Sequence, residues 1–380
     1  MGYISDCISL SGTIRHFVSP ISRQRSGCCN RDMAAEVDGA WPFQRALEED
    51  PAEEEGSAAW LAEGLSGLQQ TPPDGRLGHV SLSLAGKGLA QLVLLCDFTK
   101  LLVLDVSCNK LSSLYPIRLA ANLVRLNAQN NQVQSPAELS ANPKLEHVDL
   151  SNNHITALGD WQFNVRLRVL RLAGNRLSSL KDGSLEKNSL LRELDISNNA
   201  VDSLEHLPHL KCLDTLNVSD NQLKNLEGIQ RAPHLVVLHA ERNKLESLEP
   251  LGLGSNGLLS ELYIQQNVGL NHPLQLSALK ATEALQSLHA SPGPIVSFPH
   301  WRLHCVHMLP QLLQIDGVSV TAEEQFTAAE AFGDLIYAQR RVWETLIPDE
   351  PFVDRRLLKL QEPTAATAAD SPDSVVSPDT

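Results

Sequence analysis

Apolar and polar positions along the middle of the chain repeat in a fixed frame. Leu101, Leu104, Val106 and Leu111 are apolar, with Asn109 between the last two. At a step of 22 residues the same slots hold Leu123, Leu126, Ala128 and Val133 around Asn131, then Leu145, Val148, Leu150 and Ile155 around Asn153. Leu167, Leu170, Leu172 and Leu177 around Asn175 continue the row. Leu104 and Val106 are two apart, so a short strand turns both to one side and Asp105 to the other. Each step therefore predicts one strand, one polar turn and one return segment. An apolar residue at every third return position (Leu111, Leu114, Ile117) predicts tight single-turn helical returns. The row Leu95, Ile117, Leu139, Trp161, Leu207, Ile229, Leu251 and Trp301 predicts a second core column. Trp161 is thus expected inside rather than as an exposed binding aromatic.

The frame weakens toward its ends. The first coil has His79, Leu82, Leu84 and Leu89, with Lys87 where asparagine is expected; the later coils centre on Asn199, Asn221, Asn243 and Asn267, and the tenth carries Gly293. The step is 22 except for 24 before Asn199, 24 before Asn267 and 26 before Gly293. Extra residues are expected to bulge on the return side near 181–187 and 251–257. At the front, Trp60, Leu61, Leu65 and Leu68 predict an amphipathic covering helix over Ala58 to Leu68. At the rear, Trp301, Cys305, Val306 and Leu309 share a helical face, Pro310 stops that helix, and Leu312 and Ile315 predict a last strand. Thr321-Ala322-Glu323-Glu324 is a capping box opening a helix to about Leu346, with Phe326, Ala329, Gly333, Ile336 and Trp343 on one side. The expected organisation is a disordered or variable extension (1–56), a capping helix and linker (57–78), repeats and cap (79–320), a terminal helix (321–347) and a disordered tail (348–380).

The asparagine row, Asn109, Asn131, Asn153, Asn175, Asn199, Asn221, Asn243 and Asn267, has a physical reason. A side-chain amide both donates and accepts, so it can meet backbone groups that no strand ladder reaches, expected here in its own coil and the next. The pattern L-x-x-L-x-L-x-x-N-x-L is that of the leucine-rich repeat. A single coil cannot bury its apolar side, whereas stacked coils share one core. The expected fold is an α/β leucine-rich repeat solenoid: a curved parallel sheet on the concave face, short helical or 3-10 returns on the convex face, and a C-terminal cap helix.

Composition narrows the function. A net charge of −14 over 380 residues, sharpest in the acidic run 48–55, argues against nucleic-acid binding. Seven cysteines form no C-x-x-C pair, as suits a reduced intracellular protein. No apolar run approaches a membrane span, and no secretory segment is apparent. Residues 1–32, with Arg15, Arg23, Arg25 and Arg31 against Asp6 and Asp32, read either as a transit peptide or as a non-structural extension ahead of Met33. Ser371-Pro372 and Ser377-Pro378 are phosphorylation candidates in a tail that otherwise reads as inert.

Strand residues pointing away from the core should line the concave face. The slot between the last two strand apolars gives Asp105, Asn127, Asp149, Arg171, Asp195, Asn217, His239, Tyr263 and His289. The slot two earlier includes Arg125, His147, Glu193 and Glu261. Asp105, Arg125, Asp149, Arg171, Glu193, Asp195, His239, Glu261, Tyr263 and His289 are the candidate protein-binding residues, with an aromatic corner at the C-terminal end. No nucleophile with a placed base and no phosphate loop emerges, so neither an enzyme nor a cofactor is expected. His300, His304 and His307 share one face of the cap helix; three imidazoles there could hold zinc, but the wet side of the helix is the preferred reading.

The repeat frame, LPQLLQIDG at 309–317 and the helix after it resemble the subfamily of capped 22-residue leucine-rich repeat proteins. That subfamily includes a nuclear regulator of protein phosphatase 1, a tubulin-folding cofactor and several axonemal proteins. Glu63-Gly64-Leu65-Ser66 leading into the first coil, and the run through Asn153, are most similar to the axonemal members. The resemblance spans about residues 60–345 and departs at Lys87 and Gly293. It implies a non-catalytic scaffold of the motile cilium, in the cytoskeleton near the radial spokes. Such a scaffold would be a monomer built into a larger assembly, holding protein partners such as radial-spoke components, and neither nucleic acid nor membrane. A phosphatase regulatory subunit using the same face is the alternative.

Overall fold

The computed structural model describes residues 63–71, 76–92, 100–181, 183–253 and 256–332, all within a compact unit spanning 58–380. Fifteen strands follow in chain order. The first two are β1 (Leu65–Thr71) and β2 (Arg76–Ser83), then β3 (Val103–Asp105), β4 (Arg125–Asn127) and β5 (His147–Asp149). Next are β6 (Gly159–Asp160), β7 (Val169–Arg171), β8 (Gly183–Ser184), β9 (Glu193–Asp195) and β10 (Thr215–Asn217). The last are β11 (Val237–His239), β12 (Glu261–Tyr263), β13 (Ser287–His289), β14 (Gln314–Ile315) and β15 (Val318–Ser319). Two helices follow among the described residues, α1 (Trp301–Met308) and α2 (Ala322–Phe332). Thirteen strands form one curved sheet, parallel from β2 to β14 and antiparallel only in its end pairs, while β6 and β8 pair separately on the return side.

Strict repetition sets the register. Leu104, Leu126, Val148, Leu170, Leu194, Leu216, Leu238, Leu262 and Leu288 are successive partners across the sheet, each at most 1 % exposed. Burying a leucine of this kind stabilises by about 1.5–3 kcal/mol, and the row continues through every coil. Three residues beyond the end of each strand from β3 to β12, β6 and β8 apart, the backbone has positive φ, at Cys108, Asn130, Asn152, Gly174, Asn198, Asp220, Arg242 and Gln266. Asparagine and glycine tolerate that left-handed turn; it swings the next residue, the row asparagine, inward.

Those asparagines interlock. Asn131 Nδ2 donates to Ala128 O in its own coil and to Val106 O in the coil before, both at 3.0 Å, while its Oδ1 accepts from Leu111 N. Asn109, Asn153, Asn175, Asn199, Asn221, Asn243 and Asn267 repeat the arrangement. The partner is the preceding coil, not the following one, because the left-handed turn aims the amide backwards. A second row on the return side has no counterpart in the sequence reading. Asn142, Asn164, Asn188 and Asn256 are 0 % exposed and donate to carbonyls of the preceding return, as Asn164 does to Leu139 O and Asn142 O. Gln311 ends this row by donating to Leu279 O and Thr282 O.

Returns are short 3-10 segments, among them Tyr115–Leu119, Ala137–Ala141 and Glu249–Leu253. Trp161 lies in the expected core column, 1 % exposed, with Nε1 donating to Leu158 O at 2.8 Å. Leu95 of that column lies outside the described residues.

The ends differ from the sequence reading. Glu63 and Gly64 are helical, but Leu65–Thr71 is a strand that pairs antiparallel with β2. The helix predicted through Leu68 therefore gives way to a hairpin over its C-terminal part; residues 58–62 lie outside the described set. A hairpin covers the first coil better because it also pairs the free edge of the sheet. Lys87, in the first asparagine slot, instead reaches Glu63 at 3.0 Å.

At the far end, Trp301, Cys305, Val306, Met308 and Leu309 are buried, and burial pushes the Cys305 thiol up. Ile315 is buried in a closing hairpin of β14 and β15. The capping box forms: Glu324 N donates to Thr321 Oγ1 and Thr321 N to Glu324 Oε2. The buried face of α2 is Ala328 and Ala329, whereas Phe326, placed on that face by spacing, is 42 % exposed. The remainder of the predicted helix, from residue 333, lies outside the described residues. His304 and His307 are half-buried rather than fully on a wet side. Both rings pack against Phe332 of α2, at 4.3 and 5.0 Å between centroids, and His304 also meets Phe298. Burial, then His272, His307 and His300, push the His304 imidazole down.

Arg302 ties the cap together. Its Nε and Nη2 donate to the two oxygens of Glu324 at 2.7 and 3.1 Å, and its Nη1 and Nη2 to Ile315 O and Ser319 O, both at 3.0 Å. Arg302→Ala is expected to lower the local stability of α2 by about 1.5–3 kcal/mol, read as faster amide exchange across Ala322–Phe332 and unchanged exchange in β7. The same bonds hold the Glu324 carboxyl below its usual range. Their stabilisation is present above the ordinary carboxyl pKa and is lost as pH falls through the lowered one. Exchange across α2 that is indifferent to Arg302→Ala would remove the guanidinium from this role.

Candidate functional site: the concave strand face

Strand residues between the core leucines lie in register on the open side of the sheet. Asp105, Asn127, Asp149, Arg171, Asp195, Asn217, His239, Tyr263 and His289 are successive partners. A second column runs Val103, Arg125, His147, Val169, Glu193, Thr215, Val237, Glu261 and Ser287 in the same pairings. All ten candidate residues thus belong to two adjacent columns, each step about 4.8 Å.

The middle of the face is self-neutralised. Arg171 Nε donates to Glu193 Oε1 at 2.7 Å, and its Nη1 lies 4.0 Å from Asp149 Oδ2. These half-exposed pairs add little stability. Burial and the Arg125 guanidinium push the His147 imidazole down.

The aspartates have a second task that spacing did not reveal. Asp105, Asp149 and Asp195 each accept from the backbone N–H two residues on, at 2.9–3.0 Å. Asn127 and Asn217 do the same in their coils. One oxygen of each aspartate therefore fixes the turn.

At the C-terminal end three rings stack. His239 and Tyr263 lie 4.3 Å apart between centroids at 21°, and Tyr263 and His289 lie 4.3 Å apart at 3°. In-register parallel strands enforce this, since neighbouring side chains have nowhere to diverge. Tyr263 OH donates to Glu261 Oε2 at 3.0 Å, and His239 Nδ1 lies 3.1 Å from Glu241 Oε1. Burial, then the hydrogen bond and charge of Glu261 and the charge of Glu241, push the Tyr263 hydroxyl up. Glu241 is a site neighbour that the sequence reading left out. Its signal was available, because it sits two residues beyond His239 where most coils carry Ser or Gln.

Ser287 Oγ lies 3.0 Å from His289 Nε2, a nucleophile beside a base that the sequence reading did not place. The pair stands on an open strand face, and among the described residues no carboxylate orients the other ring nitrogen. This is not the geometry of a catalytic triad. Among the described residues no helix is long and apolar enough to cross a membrane.

Two repeat-family profiles match the chain: "Leucine rich repeat" over residues 165–223 and "Leucine Rich repeats (2 copies)" over residues 121–162. No curated protein matches it by sequence. Among solved structures it is similar to an internalin from Listeria monocytogenes, at 17 % identity over 70 % of this chain and 88 % of that one, with a TM-score of 0.45. The functional domain of InlJ from Listeria monocytogenes is similar at 18 % identity, over 64 % and 56 % of the two chains, with a TM-score of 0.46. YopM from Yersinia enterocolitica is similar at 29 % identity, over 51 % and 38 %, with a TM-score of 0.40. The profiles fall on coils whose strands, left-handed turns and inward asparagines repeat in register, so residues 121–162 and 165–223 are leucine-rich repeats stacked in a solenoid.

Proposed function

We propose that this chain is a non-catalytic scaffold that docks a protein partner on its concave strand face. The observation that carries the reading is the register of the outward side chains across nine strands, from Asp105 to His289. Leucine-rich repeat proteins use extended concave surfaces of this kind to bind partners. A rigid sheet loses little conformational freedom on docking, so its contacts contribute more fully to affinity.

The setting we propose is the motile-cilium axoneme, with radial-spoke components as partners. This rests on the sequence likeness to the axonemal members of the capped subfamily, leucine-rich repeat-containing protein 23 foremost. A phosphatase regulatory subunit is the competing reading, and it predicts a soluble complex.

Asp149→Asn with Asp195→Asn is expected to weaken partner capture about tenfold while leaving the urea midpoint in place. Asparagine keeps the turn acceptor that Asn127 and Asn217 supply in neighbouring coils and removes only the outward charge. Capture would be quantified by mass spectrometry from detergent-extracted axonemes and from unciliated tissue. Undiminished capture by the double variant would take the concave face out of the account. A phosphatase recovered from both tissues would replace the axonemal setting with the regulatory one.

A further inference from the structure

Several acids of the described cap and central coils have cationic partners. Arg171 serves Asp149 and Glu193, Arg242 holds Asp220 through both its oxygens, and Arg302 holds Glu324. The C-terminal end of the concave face differs. The outward strand positions of β10 to β13 are Thr215, Asn217, Val237, His239, Glu261, Tyr263, Ser287 and His289, with neither lysine nor arginine among them. Among the described residues the carboxylates of Glu241 and Glu261 are met only by His239 Nδ1 and by the Tyr263 hydroxyl. Arg242, next in the chain to Glu241, is turned to Asp220 instead.

Two acceptors there are buried and idle. Glu241 Oε2 and Gln265 Oε1 receive no hydrogen bond from the described residues. They belong to equivalent positions of adjacent coils, since Arg242 N donates to Gln265 O just as Asp220 N donates to Glu241 O. A buried acceptor left unmet costs about 1–3 kcal/mol, so a side-chain rotation that brings either oxygen to an arriving donor recovers that loss as binding energy. Two acceptors one strand apart, beside a carboxylate and an aromatic stack, suit a forked cation better than a neutral donor.

We propose that this end of the concave face receives a basic, extended segment of the partner protein, seating an arginine side chain among Glu241, Gln265 and Glu261 at the edge of the His239–Tyr263–His289 stack. The proposal rests on the reading of the concave face as a docking surface and adds the chemistry of its occupant. The stacked rings act as a stiff floor, and the two glutamates set the sign of charge admitted.

The test uses the full chain and two short fluorescent peptides, one alternating arginine with serine and one alternating glutamate with serine, followed by anisotropy at low and at physiological salt. The arginine peptide is expected to bind and the glutamate peptide not. Glu241→Gln with Glu261→Gln, which keeps both side chains able to accept from His239 and Tyr263, is expected to weaken arginine-peptide binding about tenfold. Asp202→Asn with Glu227→Gln, the same change in net charge at two exposed return positions, is expected to leave it within about twofold. Equal weakening by the two double variants, equal binding of the two peptides, or no binding of the arginine peptide overturns the proposal. Should the arginine peptide fail while partner capture still depends on Asp149 and Asp195, only the occupant's chemistry is wrong; should capture be indifferent to those aspartates as well, the docking face falls with it.

Discussion

Replacing Trp161 by alanine is expected to destabilise the solenoid by about 3–5 kcal/mol, read as a lower urea midpoint. The indole is 1 % exposed, sits in the return column one coil on from Leu139, and caps the Leu158 carbonyl at 2.8 Å. Trp161→Phe keeps an aromatic in the column but leaves that carbonyl without its donor, for about 1–2 kcal/mol. A solenoid is held by nearest-neighbour interfaces, so exchange should quicken first in the coils of β5, β7 and β9 rather than uniformly. An alanine variant as stable as the parent would mean that the ring is a surface feature.

Asn153→Ala is the second large effect, expected at about 3 kcal/mol. Its Oδ1 accepts from Val133 N, and its Nδ2 donates to Ala128 O and Leu150 O. Those two carbonyls each keep one other donor, from Asn131 and Asn175. The Val133 N–H keeps none of its side-chain acceptor and stays buried. Asn142→Ala should cost about half as much, because that residue donates to Ile117 O and Ala120 O while its own oxygen has no partner among the described residues. Urea curves for the two variants in one background test the ranking, and a reversed order would contradict it.

The strand face and the inner asparagine row were legible because both are local and periodic. One coil repeats the rule of the last, and a two-residue alternation decides which side chains turn inward. What stayed hidden depends on pairing between distant or irregular residues. Leu65 and Leu68 suit a helix face as well as a strand, and only the pairing of β1 with β2 chooses between them. The outer row was masked by its interruptions, since Ala232 and Thr282 stand where Asn142 and Asn164 set the pattern. Pairing also decided the histidines: His304 and His307 look solvent-facing until Phe332, more than a turn into another helix, lies across them. The dual role of Asp105, Asp149 and Asp195 was half legible, in that their outward placement was read and their turn bonds were not.

The backward reach of each amide gives the array a direction. Coils removed from the front would strand the backbone groups of the new edge strand, but the asparagines left there would lose only side-chain contacts and can swivel into water. Coils removed from the rear would strand rigid main-chain groups of the last remaining turn. The protein meets that asymmetry with two residues beyond the final coil: Asp316, which accepts from Ala290 N and Ser291 N, and Gln311, which finishes the outer row. Shortened or chimeric versions should therefore keep both the N-terminal hairpin, which pairs the sheet edge, and the C-terminal closure, and between them can vary in length by whole turns.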